Sequence, residues 1–270
     1  MNNIHLLATD IDGTLMQADG SIAAANIEAI RRCLKKGVFV YLVTGRPYSF
    51  ARMIADRIHP DVQVVAANGG IYECNGTCIE QPIDPSAIAF LVTRAENCGV
   101  SLFLKGKHDY YANVPYDPRF LYDDLNPFFR KDLQVRSFPD LSAQQLIEQA
   151  HDILKILTFH EDGAVMQKYR RLIENADLVT VTDYRPISFD ITAKGVDKGS
   201  TLQTICQMLH LSKDQVIACG DANNDQAMFA CAGWRVAMSN ASSAIQEMCD
   251  AVVDNQDGAG VARAIQQCGI

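Results

Sequence analysis

Four short polar clusters interrupt otherwise apolar or amphipathic stretches: Asp10-Ile11-Asp12-Gly13-Thr14, Thr44-Gly45-Arg46-Pro47, Lys198-Gly199 and Gly220-Asp221-Ala222-Asn223-Asn224-Asp225. Asp10 and Asp12 stand two residues apart and just ahead of Gly13, so their side chains can emerge together where the backbone turns away. Taken alone, such a pair would serve equally well as acidic turn residues. Asp221 changes the balance, because three carboxylates in one crevice repel one another unless a cation lies among them. Oxygen ligands with incomplete protein coordination suit Mg²⁺, which keeps waters and accepts phosphate oxygens. The chemistry implied is metal-assisted work on a phosphate group.

The remaining residues stand at strand ends and helix starts. Thr44, followed by Gly45, closes a strand where a threonine would serve as a helix N-cap. Lys198 directly opens a helix whose N-terminal N–H groups favour an anion, and it is preferred over the neighbouring Lys194 for that reason. Asn224 and Asp225 belong to an Asx-rich turn that would cap the next helix. Arg46, Asn68 and Asp190 lie close to strand ends, where substrate contact and hinge anchoring are both available to them. Tyr110 and Tyr111 suggest ring stacking, but strand alternation between exposed and buried positions explains the pair more simply.

The elements that must position these groups follow from the apolar pattern. A strand over residues 4–9 ends at Asp10, a helix begins near a Ser21 cap and stops at Gly37, and a β-branched strand over 38–43 ends at Thr44. A second helix over 48–58 leads to a strand over 62–66 and then Asn68-Gly69-Gly70. Cys74 and Cys78 flank Asn75-Gly76-Thr77, which reads as a hairpin turn with the cysteines as cross-strand neighbours. After Pro82 the alternation changes to helix, strand, strand and helix, the signature of an α+β insert. The βα pattern resumes with the helix at Lys198, the strand 216–219 ending at Asp221, and further strands and helices to residue 267. The fold class is therefore α/β, a Rossmann-like parallel-sheet core in two segments, 1–82 and 187–270, around an α+β cap over 83–186. In an open parallel sheet, ligands gather at the carboxyl ends of the strands, where the polar clusters fall.

Composition removes several alternatives. The 270 residues carry 24 Lys+Arg against 32 Asp+Glu, a net charge of −8, without the clustered cations that nucleic-acid binding needs. A small anionic molecule remains compatible, since local donors can oppose the global sign. Nine cysteines, an odd number without a Cys-x-x-Cys pair, fit reduced thiols and a cytoplasmic location. Met1-Asn2-Asn3 leads straight into an apolar strand without a signal-like segment, and no apolar run reaches the roughly 20 residues that span a bilayer. No membrane association and no obligate protein partner is expected.

Together the clusters carry a resemblance. Asp-Gly-Thr-Leu, Thr-Gly-Arg-Pro, Asn-Gly-Gly, Lys-Gly and Gly-Asp-Ala-Asn-Asn-Asp, in this order, are similar to the motifs of the haloacid dehalogenase superfamily, most of all its Cof-type phosphatases with a large C2B-type cap after the second motif. The resemblance runs from residue 4 to the C-terminal helix. It implies Asp10 as the nucleophile that forms an aspartyl-phosphate, and Asp12 as general acid and base whose carbonyl also meets Mg²⁺. It implies Thr44, Gly45, Lys198 and Asn224 on the phosphoryl group, Asp221 as metal ligand, and Asp225 as an aid to Lys198 or the metal. The implied activity is Mg²⁺-dependent hydrolysis of a small phosphorylated metabolite, sugar phosphates foremost. A phosphomutase would use the same intermediate, though related phosphomannomutases have a longer, glycine-richer fourth motif; a noncatalytic phosphometabolite-binding protein is the third alternative.

Overall fold

The computed structural model describes residues 4–269, so the expectation for Met1-Asn2-Asn3 lies outside the described residues. The first part of the chain runs β1 (Leu6–Thr9), α1 (Ala24–Lys35), β2 (Phe39–Val43), α2 (Tyr48–Ile58), β3 (Gln63–Ala66), β4 (Ile71–Cys74) and β5 (Thr77–Glu80). The middle part runs α3 (Pro85–Cys98), β6 (Ser101–Lys105), β7 (Asp109–Ala112), β8 (Arg136–Phe138), α4 (Ala143–Gln149), β9 (Lys155–Phe159), α5 (Gly163–Ala176), β10 (Val179–Arg185) and β11 (Ser188–Ala193). The last part runs α6 (Lys198–Met208), β12 (Val216–Gly220), α7 (Gln226–Ala230), β13 (Trp234–Met238), α8 (Ser243–Glu247), β14 (Ala251–Val253) and α9 (Gly260–Gln267).

All four residues of β1 are buried, as a strand covered on both faces requires. It lies between β12 and β2 in a sheet of order β14-β13-β12-β1-β2-β3-β4-β5, parallel from β14 through β3. Only the β3–β4 and β4–β5 pairings are antiparallel, and β4 turns into β5 through Asn75 and Gly76, both at positive φ. Such a two-residue turn matches the twist of the flanking strands. Cys74 pairs with Thr77 and Cys78 with Glu73, so the two cysteines are diagonal neighbours, and all nine cysteines are free.

The second sheet, of order β10-β11-β9-β6-β7-β8, is antiparallel except between β7 and β8. Its β11 runs from Ser188 to Ala193 and pairs with both β10 and β9, so this sheet continues past the sequence boundary at 187. Sequence reasoning placed no strand there, because Ser-Phe-Asp-Ile-Thr-Ala puts an aspartate among the apolar residues of the run. Tyr110 and Tyr111 are both buried, on opposite faces of β7: Tyr111 packs in the insert's own core and Tyr110 in the cluster shared with the first sheet. Alternation holds, but with a packed layer on each side rather than one exposed face.

Helix α1 starts later than expected. Ile22 forms an antiparallel bridge with Met16, and the Ser21 carbonyl accepts the Gln17 N–H, so this segment stays extended until Ala23. Ala23 then stands at the N-cap position without a side-chain bond. By contrast, α6 is firmly started: the Asp197 side chain accepts the Ser200 N–H, and the Ser200 side chain reciprocates at the Asp197 N–H. Lys198 is its first residue.

Candidate active site

Because β12, β1 and β2 are parallel neighbours, their C-terminal ends share one edge, and Asp221, Asp10 and Thr44 follow them there. Lys198 reaches this edge from the first turn of α6 and is 1% exposed. Its Nζ donates to Asp10 Oδ1 at 2.6 Å and to Asp225 Oδ1 at 2.7 Å. Burial opposes the Lys198 cation, but Asp10 and Asp225 outweigh it and raise its pKa. Lys194, the competing lysine, lies on the surface paired with Asp177.

The other carboxylates have separate duties. Asp225 Oδ2 accepts the N–H groups of Asp221 and Ala222, each at 3.0 Å, so with Lys198 on Oδ1 both its oxygens are engaged. Asp221 Oδ1 accepts Thr14 Oγ1 at 2.9 Å, and its Oδ2 accepts Asn240 Nδ2 at 2.8 Å. Gly13 makes the approach possible. Its φ is +78°, and a Cβ there would stand 2.4 Å from Asp221 Oδ2.

Ligand oxygens of Asp10, Asp221 and Asp225 lie within 4.8 Å of one another. Burial pushes the Asp10 carboxyl well above the usual range, with Lys198 opposing and Asp225 and Asp221 adding to the rise. Burial likewise pushes Asp221 up to about 6, against the hydrogen bonds from Thr14 and Asn240. Three carboxylates face one lysine here, and a hard divalent cation would supply the balance. The residues fit Mg²⁺, with carboxylate oxygens of Asp10, Asp221 and Asp225 gathered closely enough to serve as donors.

Asp12 is half-exposed and clamped by Arg46, with Nε to Oδ2 at 2.9 Å and Nη2 to Oδ1 at 2.7 Å. Arg46 also donates from Nη1 to Tyr122 Oη at 3.0 Å and lies 4.9 Å from the centre of the Phe50 ring. Its guanidinium pKa is raised by the hydrogen bonds to Asp12. Thr44 is not the N-cap of α2, a place taken by Pro47; its hydroxyl accepts the Arg46 N–H at 3.1 Å.

Asn68, Asp190 and Asn224 form a second layer. Asn68 sits at φ +51° and donates from Nδ2 to Asp190 Oδ2 at 2.9 Å and to Thr182 Oγ1 at 3.0 Å. Asp190 also accepts Lys155 Nζ at 2.6 Å, and the same ammonium donates to the Gly45 carbonyl at 2.6 Å. Asn224 reaches Asn68 Oδ1 at 3.4 Å. Asp10, Asp12, Thr44, Gly45, Arg46, Asp190 and Asn224 line one cleft of about 430 Å³, whose opposite wall is built by Lys105, Tyr122 and Lys155 of the insert. Lys198 and Asn68 instead line a neighbouring cleft of about 380 Å³, which shares Asp183 and Asn224 with the first. Sequence reasoning missed Lys105, Lys155, Tyr122 and Asn240. The available signal was the lysine ending Leu-Phe-Leu-Lys and the one opening Lys-Ile-Leu-Thr-Phe, charges at the ends of buried strands.

A family model described as haloacid dehalogenase-like hydrolase matches residues 7–265. A Bacillus subtilis protein named 5-amino-6-(5-phospho-D-ribitylamino)uracil phosphatase is 27% identical, over 98% of this chain and 95% of its own. A Methanopyrus kandleri protein named phosphoglycolate phosphatase is 26% identical, over 97% and 96%. A solved sugar phosphatase of HAD subclass IIB superposes with a TM-score of 0.80 at 21% identity, covering 98% of each chain. A haloacid dehalogenase-like hydrolase from B. subtilis gives 0.83 at 24%, covering 97% of this chain and 99% of its own. Among the described residues no helix is long and apolar enough to cross a membrane.

Proposed function

Since the chain belongs to the haloacid dehalogenase-like hydrolases, we propose that it is a Mg²⁺-dependent phosphatase cleaving phosphomonoesters of small metabolites, sugar phosphates foremost, through an aspartyl-phosphate on Asp10. The observation that carries this reading is the buried Asp10–Lys198–Asp225 bridge at the edge of the cleft, with Asp221 alongside. Lys198 engages one Asp10 oxygen, and among the described residues Oδ2 accepts no hydrogen bond.

In this reading Asp10 Oδ2 attacks phosphorus and the bond from phosphorus to the ester oxygen breaks. Asp12 gives that oxygen its proton. A water then attacks the phosphoenzyme, Asp12 takes the water's proton, and the bond to Asp10 breaks to release phosphate. Lys198, Thr44 and the Gly45 N–H hold phosphoryl oxygens, and Asn224 adds a donor. Asp10, Asp221 and the Asp12 carbonyl would hold Mg²⁺, which when bound neutralises charge between carboxylates and phosphate. Arg46 has to release the Asp12 carboxylate before Asp12 can reach a leaving group, and the bond from Arg46 to Tyr122 ties that release to the insert. The names of the relatives support phosphoester hydrolysis and differ in the leaving group.

The test is phosphate release from a panel of phosphoesters, with and without Mg²⁺, for the parent and Asp10→Asn. The parent releases phosphate only with the metal, and the substitution removes release at least 10³-fold, on the order of losing a nucleophile. Unchanged turnover in Asp10→Asn refutes the reading. Phosphate that stays esterified at a new position selects a mutase, and binding without turnover selects a binding protein.

A further inference from the structure

Lys105 is 4% exposed, yet among the described residues its ammonium makes no hydrogen bond. It stands 4.9 Å from the centre of the Tyr122 ring and lines the active-site cleft. Its direct cross-strand partner is Lys155, so two buried lysines face each other across β6 and β9. Like charges in that position repel. One carboxylate, Asp190, serves the pair, and its Oδ2 is bonded to Lys155.

The other cations of the cleft are all answered: Arg46 by Asp12, Lys155 by Asp190, Arg119 by Asp117 and Arg185 by Asp183. Lys105 alone among them has no carboxylate partner among the described residues. A buried cation without a partner is costly unless an anion reaches it. Burial, and then repulsion by Lys155 and Arg46 against attraction by Asp190, lowers its pKa to about 7, which an arriving anion would reverse.

We propose that Lys105 is a specificity-determining residue that binds a second anionic group, a carboxylate or a phosphate, on the leaving portion of the substrate. The preferred substrates are then phosphorylated acids or bisphosphates rather than esters of neutral polyols. This rests on the phosphatase reading above and moves its substrate class from simple sugar phosphates towards doubly anionic esters. The location supports it: Lys155 donates to the Gly45 carbonyl, and Arg46 touches Tyr122, so the Lys105 wall faces the loop after β2 where the phosphoryl group would sit.

The experiment uses the Asp10→Asn protein with Mg²⁺, in which esters bind without being consumed. Calorimetry gives Kd for two matched pairs: 3-phosphoglycerate against glycerol 3-phosphate, and fructose 1,6-bisphosphate against fructose 6-phosphate. At least one doubly anionic ester binds about tenfold or more tighter than its partner, the size of a charge-assisted hydrogen bond in a buried site. Which pair shows the advantage identifies the second group as carboxylate or phosphate. Adding Lys105→Met brings the ratio to within about twofold, and Lys105→Arg retains part of it.

Equal binding within both pairs overturns the proposal. So does a loss in Lys105→Met that is the same for both members of a pair, because the lysine would then hold the transferred phosphate. Lys105→Gln is the second variant; melting of both well below the parent also overturns it, by making Lys105 a packing residue. Failure of the phosphatase reading appears separately, as no phosphate release by the parent from any of the four esters while the binding ratios persist.

Discussion

Replacing Lys198 by methionine keeps most of the side-chain volume and removes the one cation shared by Asp10 and Asp225. The bonds lost are 2.6 and 2.7 Å long, and the lysine is 1% exposed, so water cannot take its place. Breaking a buried pair by removing one partner costs about 3–5 kcal/mol. At roughly 2–4 °C per kcal/mol for a chain of this size, Tm falls by about 6–20 °C. Thermal unfolding in a chelator reads this without a metal to compensate. A second substitution gives the sharper result, because its sign depends on the background. Asp225→Asn alone destabilises, since Lys198 loses a partner. In Lys198→Met the same change restores stability, since it removes an orphaned buried charge while the amide oxygen can still accept the Asp221 and Ala222 N–H groups. The reasoning fails if Lys198→Met melts within about 2 °C of the parent, or if Asp225→Asn makes the Lys198→Met protein less stable still. Phosphate release by Lys198→Met falls at least 100-fold, on the order of losing one preorganised electrostatic contact.

Gly199→Ala tests how α6 is seated, because a Cβ there would stand 2.2 Å from the Ala227 carbonyl oxygen. The contact is with backbone, so α6 and α7 must separate, and Tm drops by the equivalent of about 1–3 kcal/mol; an unchanged Tm refutes that packing. Lys105, with a pKa lowered from 10.5 to about 7, holds fewer protons folded than unfolded between those values. Stability from this group therefore rises as pH goes from about 7 towards 10.5. The difference in Tm between Lys105→Met and the parent should be largest in favour of the variant below pH 7 and shrink above it; a constant difference sinks the assignment. Lys155, Asp190, Arg46 and Tyr122 are the charged and titratable groups facing it.

The core was legible because its information is local. An apolar run that ends in Asp10, Thr44 or Asp221 states both the strand and the edge at which it stops, and parallel pairing then gathers the three ends. The helix over 48–58 was equally plain, and α3 owes its ends to Asp84 and Pro85 at its start and to Gly99 in the left-handed conformation at its stop. What stayed hidden depends on pairing across the insert. Lys105 and Lys155 are fifty residues of chain apart and become neighbours only through the register of β6 with β9. Asp190 could be named as a candidate, but its partners could not, since Asn68 comes from the first segment and Lys155 from the insert. Asn240 reaches Asp221 from the loop after β13, where no motif marks it.

The position of β1 has a further consequence, for the order in which the chain can fold. Leu6 pairs with Phe39 on one side but with Val216 on the other, so the strand that carries Asp10 keeps an open edge until most of the chain has been made. The second sheet has no such debt, because β6 through β11 are contiguous in sequence. During synthesis from the N-terminus it can close first, leaving the earlier strands waiting. Pairings of such high sequence separation are the slow ones. The edge where Asp10, Thr44 and Asp221 gather is thus among the last features to assemble, and a chain stopped before β12 would hold a formed second sheet beside an incomplete first one, with neither Lys198 nor Asp221 settled beside Asp10.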